Sequence, residues 1–264
     1  MPLHTHFSIV HAEKPMRTDI LGIPVDCISM QGAVDFVEHS IDAGVKRQYI
    51  LAVNPEKVMV LLKTHSLRTT FDGASLLIPD GIGVVWAMRW LRKLKVNRIP
   101  GTKLMPRLCE LAVRKRYRVF LFGSREEVNR QAAVKLCERY PGLQIVGRSN
   151  GYLKQEQMFG LIGRINALNV DVLFVALGSP KQEQWIQQWL PELNVKVCHG
   201  VGGLLDRIVS KSKQTPEIFC RFGLEWFYRL MIDPRRIRRQ RVLPIFALMI
   251  VKEKIYSRIG GRDS

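Results

Sequence analysis

The sequence predicts an α/β layered domain built on a mainly parallel sheet, followed by a basic helical appendage. Two patterns predict it. From about residue 20 to 205, apolar β-rich runs alternate with segments of helical length; beyond that, an aromatic and arginine-rich stretch has no strand after it. Central strands of a parallel sheet are covered on both faces, so they read as short continuous apolar runs rather than as alternating ones. A chain of 264 residues that is 47% hydrophobic can bury a substantial core.

In chain order, residues 1–18 form an N-terminal extension with no basic segment leading into an apolar one, so they do not read as a signal peptide. The main domain is expected over 19–215. Its strands and their exits are "YILAVN" (49–54), "SLLIPD" (75–80), "RVFLFG" (118–123), "LQIVG" (143–147), "DVLFVALG" (171–178) and "VKVCHGVGG" (195–203). Residues 103–116, 125–140 and 155–167 have helical length and lie between them. Nothing repeats at a fixed period. The appendage is expected over 216–264, and across 207–264 fourteen lysines and arginines face five acidic residues.

The formal charge of +18 calls for an anionic partner: nucleic acid, an acidic membrane surface or a phosphorylated ligand. The five cysteines are odd in number and contain no C-x-x-C pair, which argues against both a disulfide framework and a zinc site. The apolar run Val242 to Val251 is half the roughly 20 residues that a spanning helix needs.

Three strand exits carry glycine turns: Gly123 with Ser124, Gly178 with Ser179 and Pro180, and Gly200, Gly202 and Gly203. Glycine permits close approach of backbone to ligand, and a following helix start offers N–H groups to a phosphate. Glycines also end strands in any α/β protein, but three such turns along one sheet edge favour a nucleotide site. None matches G-x-G-x-x-G or the P-loop pattern. Asp80 leaves its strand in "LLIPDGIG", either as a general base at that edge or as a helix N-cap. Asn54 leaves in "AVNPEK", as a sugar-holding amide or as a turn former before Pro55. No D-x-D triplet occurs, so no metal or other cofactor is expected, and arginine or backbone N–H groups must meet diphosphate charge.

Arg229, Arg236 and Arg239 share one helix face if the helix persists across Pro234; otherwise they belong to a solvated charged surface. The apolar run beside them reads either as core or as an interfacial segment drawn to anionic lipid.

Several segments together resemble the WecG/TagA/CpsF family of bacterial glycosyltransferases, glycosyltransferase family 26: "NPEKVMVL", "DGIGVVWAMR", "RIPGTKLM", "VFLFGSREEV", "VALGSPKQE", "GVGGLLD" and "GLEWFYRLMIDPRRIRRQ", in the family's order. The resemblance implies a Rossmann-like catalytic domain that transfers a sugar from a UDP-sugar, with inversion and without metal. The acceptor it implies is a polyprenyl-diphosphate-linked saccharide at the cytoplasmic face of the bacterial inner membrane, in exopolysaccharide or cell-surface glycan synthesis. It assigns Asp80 as general base, Asn54, Gln182 and Arg98 to the substrate pocket, and Arg229, Arg236 and Arg239 to the diphosphate. Gly123, Ser124, Gly178 and Gly202 join them as ligand-binding turns. Relatives often carry a threonine where this chain has Ala52, and an aromatic residue before the position of Asp206. The first departure tilts the expected donor towards glucose over N-acetylmannosamine or its uronic acid.

Two other readings compete. A nucleic-acid binder would need a recognition helix or a stacking platform, and no such spacing is present. A non-catalytic membrane adaptor would leave the glycine turns and Asp80 without a purpose. A homo-oligomer is compatible with the sequence but not specified by it.

Overall fold

The central strands of the main sheet are short apolar runs buried on both faces, while the edge strand over 144–149 is partly exposed and carries polar residues. A computed structural model describes residues 15–210, 219, 225–232 and 240–259. The six expected strands are β3 (Gln48–Val53), β4 (Leu76–Pro79), β5 (Arg118–Gly123), β6 (Gln144–Ser149), β7 (Val172–Ala176) and β8 (Val197–Gly200), all parallel, in the order β4-β3-β8-β7-β5-β6.

Side-chain alternation sends Leu51, Val53, Phe120, Phe122, Leu173 and Val175 to a first face. There they meet α2 (Pro55–Leu61), α3 (His65–Asp72), α4 (Ile82–Arg92), α7 (Gln155–Ala167) and α8 (Lys181–Trp189). Ile50, Ala52, Val119, Leu121, Val172 and Phe174 go to the second face. They pack under α1 (Met30–Asp42), α5 (Gly101–Lys115), α6 (Glu126–Arg139) and α9 (Leu204–Val209). This is the layered, Rossmann-like arrangement expected from the sequence.

An antiparallel hairpin of β1 (Arg17–Ile20) and β2 (Ile23–Asp26) precedes the sheet and was not among the expected strands. Leu21 and Gly22 both take positive φ, the conformation that a two-residue hairpin loop demands. Asp26 is fully buried and accepts hydrogen bonds from Arg17 Nε (2.7 Å), Arg17 Nη2 (2.9 Å) and Leu77 N (2.7 Å), stitching the hairpin to β4.

Within the region read as a helical appendage, the described elements are α10 (Glu225–Ile232) and α11 (Val242–Ile259). Helix α11 packs on α2 and α4, and its two aspects differ. Phe246 and Ile250 are buried in the first-face core, while Ile245, Leu248, Ile255 and Tyr256 are exposed. Glu253 pairs with Arg92 at 2.7 Å and Lys254 Nζ donates to Trp90 O at 2.8 Å, fixing the distal half of α11 to α4. The run 242–251 therefore supplies both a core stripe and an outward apolar stripe. Cys27, Cys109, Cys137 and Cys198 are free thiols; Cys220 lies outside the described residues.

Candidate active site

Neighbouring strands that send their helices to opposite faces leave the sheet's carboxyl edge open between them, and α/β folds bind ligands in such crevices. Here β3 passes to α2 on the first face while adjacent β8 passes to α9 on the second; β7 passes to α8 on the first while adjacent β5 passes to α6 on the second. At the usual strand spacing, the exits of β4, β3, β8, β7 and β5 form one row roughly 19 Å long. Asp80, Asn54, Gly202, Gly178 with Gln182, and Gly123 with Ser124 occupy it in that order.

The β4 and β3 exits are locked together. Asp80 N donates to Val53 O at 2.9 Å. The N-cap of α4 is Gly81, not Asp80, so the capping alternative for Asp80 does not hold, and the half-buried aspartate stands one residue before that cap. A Cβ on Gly81 would lie 2.5 Å from Pro55 Cδ and 3.2 Å from Asn54 Cβ, so only glycine lets the two exits touch. Asn54 does cap its helix: Oδ1 accepts from Lys57 N at 2.9 Å, which leaves the amide N–H groups as its donors towards a ligand. Ile99 N donates to Pro79 O at 2.7 Å and so seats half-buried Arg98 beside the same strand end.

On the far side of the crevice, Gly178 takes φ +75° and the Ser179–Pro180 peptide is cis. Helix α8 then opens with two polar residues that are almost wholly buried, Gln182 and Glu183. Gln182 Oε1 accepts from Gly202 N at 2.9 Å, and Gln182 Nε2 donates to Glu183 Oε1 at 3.0 Å. A Cβ at Gly200 would meet Gln182 Nε2 at 2.9 Å, so this glycine gives the amide its room.

The β5 exit closes the row. Gly123 takes φ +121°, and a Cβ there would fall 2.4 Å from the backbone of Ala176. Ser124 N donates to Ala176 O at 2.9 Å, and Ser124 Oγ donates to Asp206 Oδ2 at 2.8 Å. Buried Asn129 holds the turn from below, donating through Nδ2 to Gly123 O (2.9 Å) and Ser149 O (3.0 Å). His199, at the end of β8, is wholly buried, with Nδ1 3.3 Å from Ile50 O. Burial pushes its pKa down to about 4, so the ring is neutral at pH 7.

The structure thus brings Asp80, Asn54, Arg98, Gln182, Gly202, Gly178, Gly123 and Ser124 to one edge. Arg229 lies on α10, and Arg236 and Arg239 lie outside the described residues. Among the described residues, no group of three or more His, Cys, Asp or Glu side chains gathers where it could hold a metal ion. Sequence reasoning missed Lys57, Glu183, Asn129 and His199. The stripe of positions 182, 185, 186 and 189 on α8 fits the burial of Gln182, which the sequence had already named, and marks none of these four.

The chain matches the Glycosyl transferase WecG/TagA/CpsF family over residues 18–259. It is 34% identical over 239 residues to an N-acetylglucosaminyldiphosphoundecaprenol N-acetyl-beta-D-mannosaminyltransferase of Staphylococcus aureus (strain MRSA252), covering 90% of this chain and 93% of that protein. It is 32% identical over 241 residues to a protein of the same name from Bacillus subtilis (strain 168), with the same coverage. No helix of the described residues is long and apolar enough to cross a membrane. A match across nearly the whole chain, on a layered fold with one open carboxyl edge, means that the chain belongs to the WecG/TagA/CpsF family of glycosyl transferases.

Proposed function

We propose that the protein is an inverting, metal-independent glycosyltransferase that moves a sugar from a UDP-sugar to a polyprenyl-diphosphate-linked saccharide in bacterial exopolysaccharide or cell-surface glycan synthesis. The observation that carries this reading is the contact between the Asp80–Gly81 and Asn54–Pro55 exits, across the crevice from Gln182 and Gly202. It sets one half-buried carboxylate beside amides suited to a sugar and glycine turns suited to a diphosphate. The absence of any D-x-D triplet from the sequence favours charge neutralisation by arginine and backbone N–H groups.

Asp80 takes the proton of the acceptor hydroxyl as the oxygen attacks the anomeric carbon. The bond from that carbon to the UDP oxygen breaks on the opposite side, and configuration inverts. Asn54, Gln182 and Arg98 orient the sugar; the turns at Gly123, Ser124, Gly178 and Gly202 approach the UDP diphosphate; Arg229, Arg236 and Arg239 meet the lipid diphosphate. N-acetylmannosamine is the first donor to test, because both named relatives are mannosaminyltransferases. Glucose, which the sequence favoured on the strength of Ala52, becomes the second donor to test.

Residues 19–215 are the catalytic domain in this reading, and 216–264 attach it peripherally to the anionic cytoplasmic face of the inner membrane. The outward stripe of α11 supports that attachment, as does exposed Trp86 on α4. Beside α4, an open hollow of about 460 Å³ lined by Arg89, Lys93, Leu94, Lys95, Val96 and Asn97 adds positive charge.

The test is UDP release by purified protein in EDTA, with a short-chain polyprenyl-diphosphate sugar acceptor, a panel of UDP-sugars and Asp80→Asn alongside. Release with one donor, lost in the variant while UDP still binds, is the expected result. Turnover retained by Asp80→Asn would remove Asp80 from the mechanism, and silence across the panel with folded protein and anionic lipid would remove the transfer reaction.

A further inference from the structure

Beneath the row of strand exits, one buried ion pair joins the first turn of α2 to the first turn of α8. Lys57 Nζ donates to Glu183 Oε1 at 2.7 Å; the lysine side chain is 12% exposed and the carboxylate 1%. The same Oε1 accepts from Gln182 Nε2 at 3.0 Å, while Oε2 accepts no hydrogen bond among the described residues. Burying a carboxylate with one oxygen unsatisfied is unfavourable, and an apolar pair of similar volume would join two helices as well or better. Helix packing alone therefore does not account for these two residues.

Their connections do. Gln182 can present its amide in two orientations related by a half-turn, and only one puts Nε2 at Glu183 and Oε1 at Gly202 N. A carboxylate is an acceptor only and a backbone N–H a donor only, so Glu183 and Gly202 select that orientation from the two sides of the amide. Lys57 compensates the carboxylate's charge, and its own backbone N–H is the donor that engages Asn54 Oδ1. One chain of contacts, Asn54 to Lys57 to Glu183 to Gln182 to Gly202, thereby spans the exits of β3, β7 and β8. We infer that Lys57 and Glu183 are positioning residues: they fix the amide orientation of Gln182, and so decide which donor and acceptor atoms it shows to the substrate. What that amide recognises rests on the transferase reading; the positioning itself does not.

The experiment compares wild type with Glu183→Gln and with the double variant Lys57→Met/Glu183→Met. The first substitutes an amide that can both donate and accept, which removes the selection made from the side of residue 183. The second removes the pair without stranding a charge. Amide hydrogen exchange is read at Gly202, whose N–H depends on Gln182, and at Val201, whose N–H donates to Val175 O within the sheet. Gly202 is expected to exchange at least about tenfold faster in both variants while Val201 keeps its rate, and kcat for UDP release to fall by more than about tenfold, in the double variant at an unchanged melting temperature. Unaltered Gly202 exchange, or a double variant with full kcat, would overturn the inference. If Glu183→Gln does not stay folded, the double variant carries the same readouts. If wild type itself releases no UDP, the transferase reading fails and Gly202 exchange alone decides the positioning.

Discussion

Lowering the pH from 7 to about 4.5 should strip stability from this protein through one ring. His199 is wholly buried near the end of β8, and its folded pKa of about 4 lies well below the ordinary histidine value of 6.5. The cause is desolvation, only partly offset by the hydrogen bond to Ile50 O. Between the two values the unfolded chain binds a proton that the folded chain refuses, so stability is complete above the unfolded value and declines as pH falls towards the folded one. A gap of that size corresponds to about 3 kcal/mol in all, of which about 2 kcal/mol is gone by pH 4.5. In a domain of this size that is a fall in Tm of about 4–8 °C. Other groups titrate in the same direction: hydrogen bonds from Lys115 and Tyr117 hold Asp42 below the usual carboxylate range, and it too loses its contribution as pH falls. The assay is therefore a difference. Thermal melts of wild type and His199→Leu, a substitution of similar volume, are taken at half-unit steps of pH, and the wild-type curve should fall more steeply below pH 6.5 by the stated amount. Parallel curves would refute the argument, because they would mean that the ring is hydrated or charged in the folded state.

Further predictions concern packing and surface. Gly81→Ala places a methyl group 2.5 Å from Pro55 Cδ, so the Asp80 and Asn54 exits must part; a loss of about 1–3 kcal/mol and at least a tenfold fall in kcat are expected, read by melting and UDP release. Arg17→Met leaves buried Asp26 with Leu77 N as its remaining donor and should cost about 3 kcal/mol in urea unfolding, the low end of the range because Arg17 is a third exposed. Leu248→Glu alters the outward stripe of α11, where the side chain is 70% exposed; Tm should hold, while sedimentation with anionic vesicles should fall several-fold.

The central strands of the main sheet were legible because they are apolar on both faces, and the edge strand β6 through Ile145 and Val146. The hairpin was not: β1 and β2 have four residues each and carry Arg17, Asp19 and Asp26, so local chemistry suggests a polar loop. What makes it a hairpin is a pair of positive φ values and a carboxylate whose backbone partner, Leu77, lies 51 residues away. The site divides in the same manner. Asp80, Asn54 and the glycine turns sit at strand ends, where sequence marks them. Lys57 and Glu183 are 126 residues apart, and an acidic residue in a helix's first turn ordinarily signals solvent and the helix dipole, so nothing local marks Glu183 as buried. Residues 233–239 lie outside the described residues, so the contribution of Arg236 and Arg239 stays with the resemblance that named them.

Helix α11 has one more consequence, for the order in which the molecule is made. Phe246 rests against Gly83, and Phe246 and Ile250 complete the apolar layer over α2 and α4, the two helices that begin at the Asn54 and Gly81 turns. Synthesis runs from the amino end, so those helices emerge from the ribosome long before their cover does. A nascent chain halted short of Phe246 holds Asp80 and Asn54 already but presents a bare apolar seam alongside them, the kind of surface that chaperones retain. Maturation of the sugar-handling edge is in this way tied to translation of α11, far downstream of the turns that it covers.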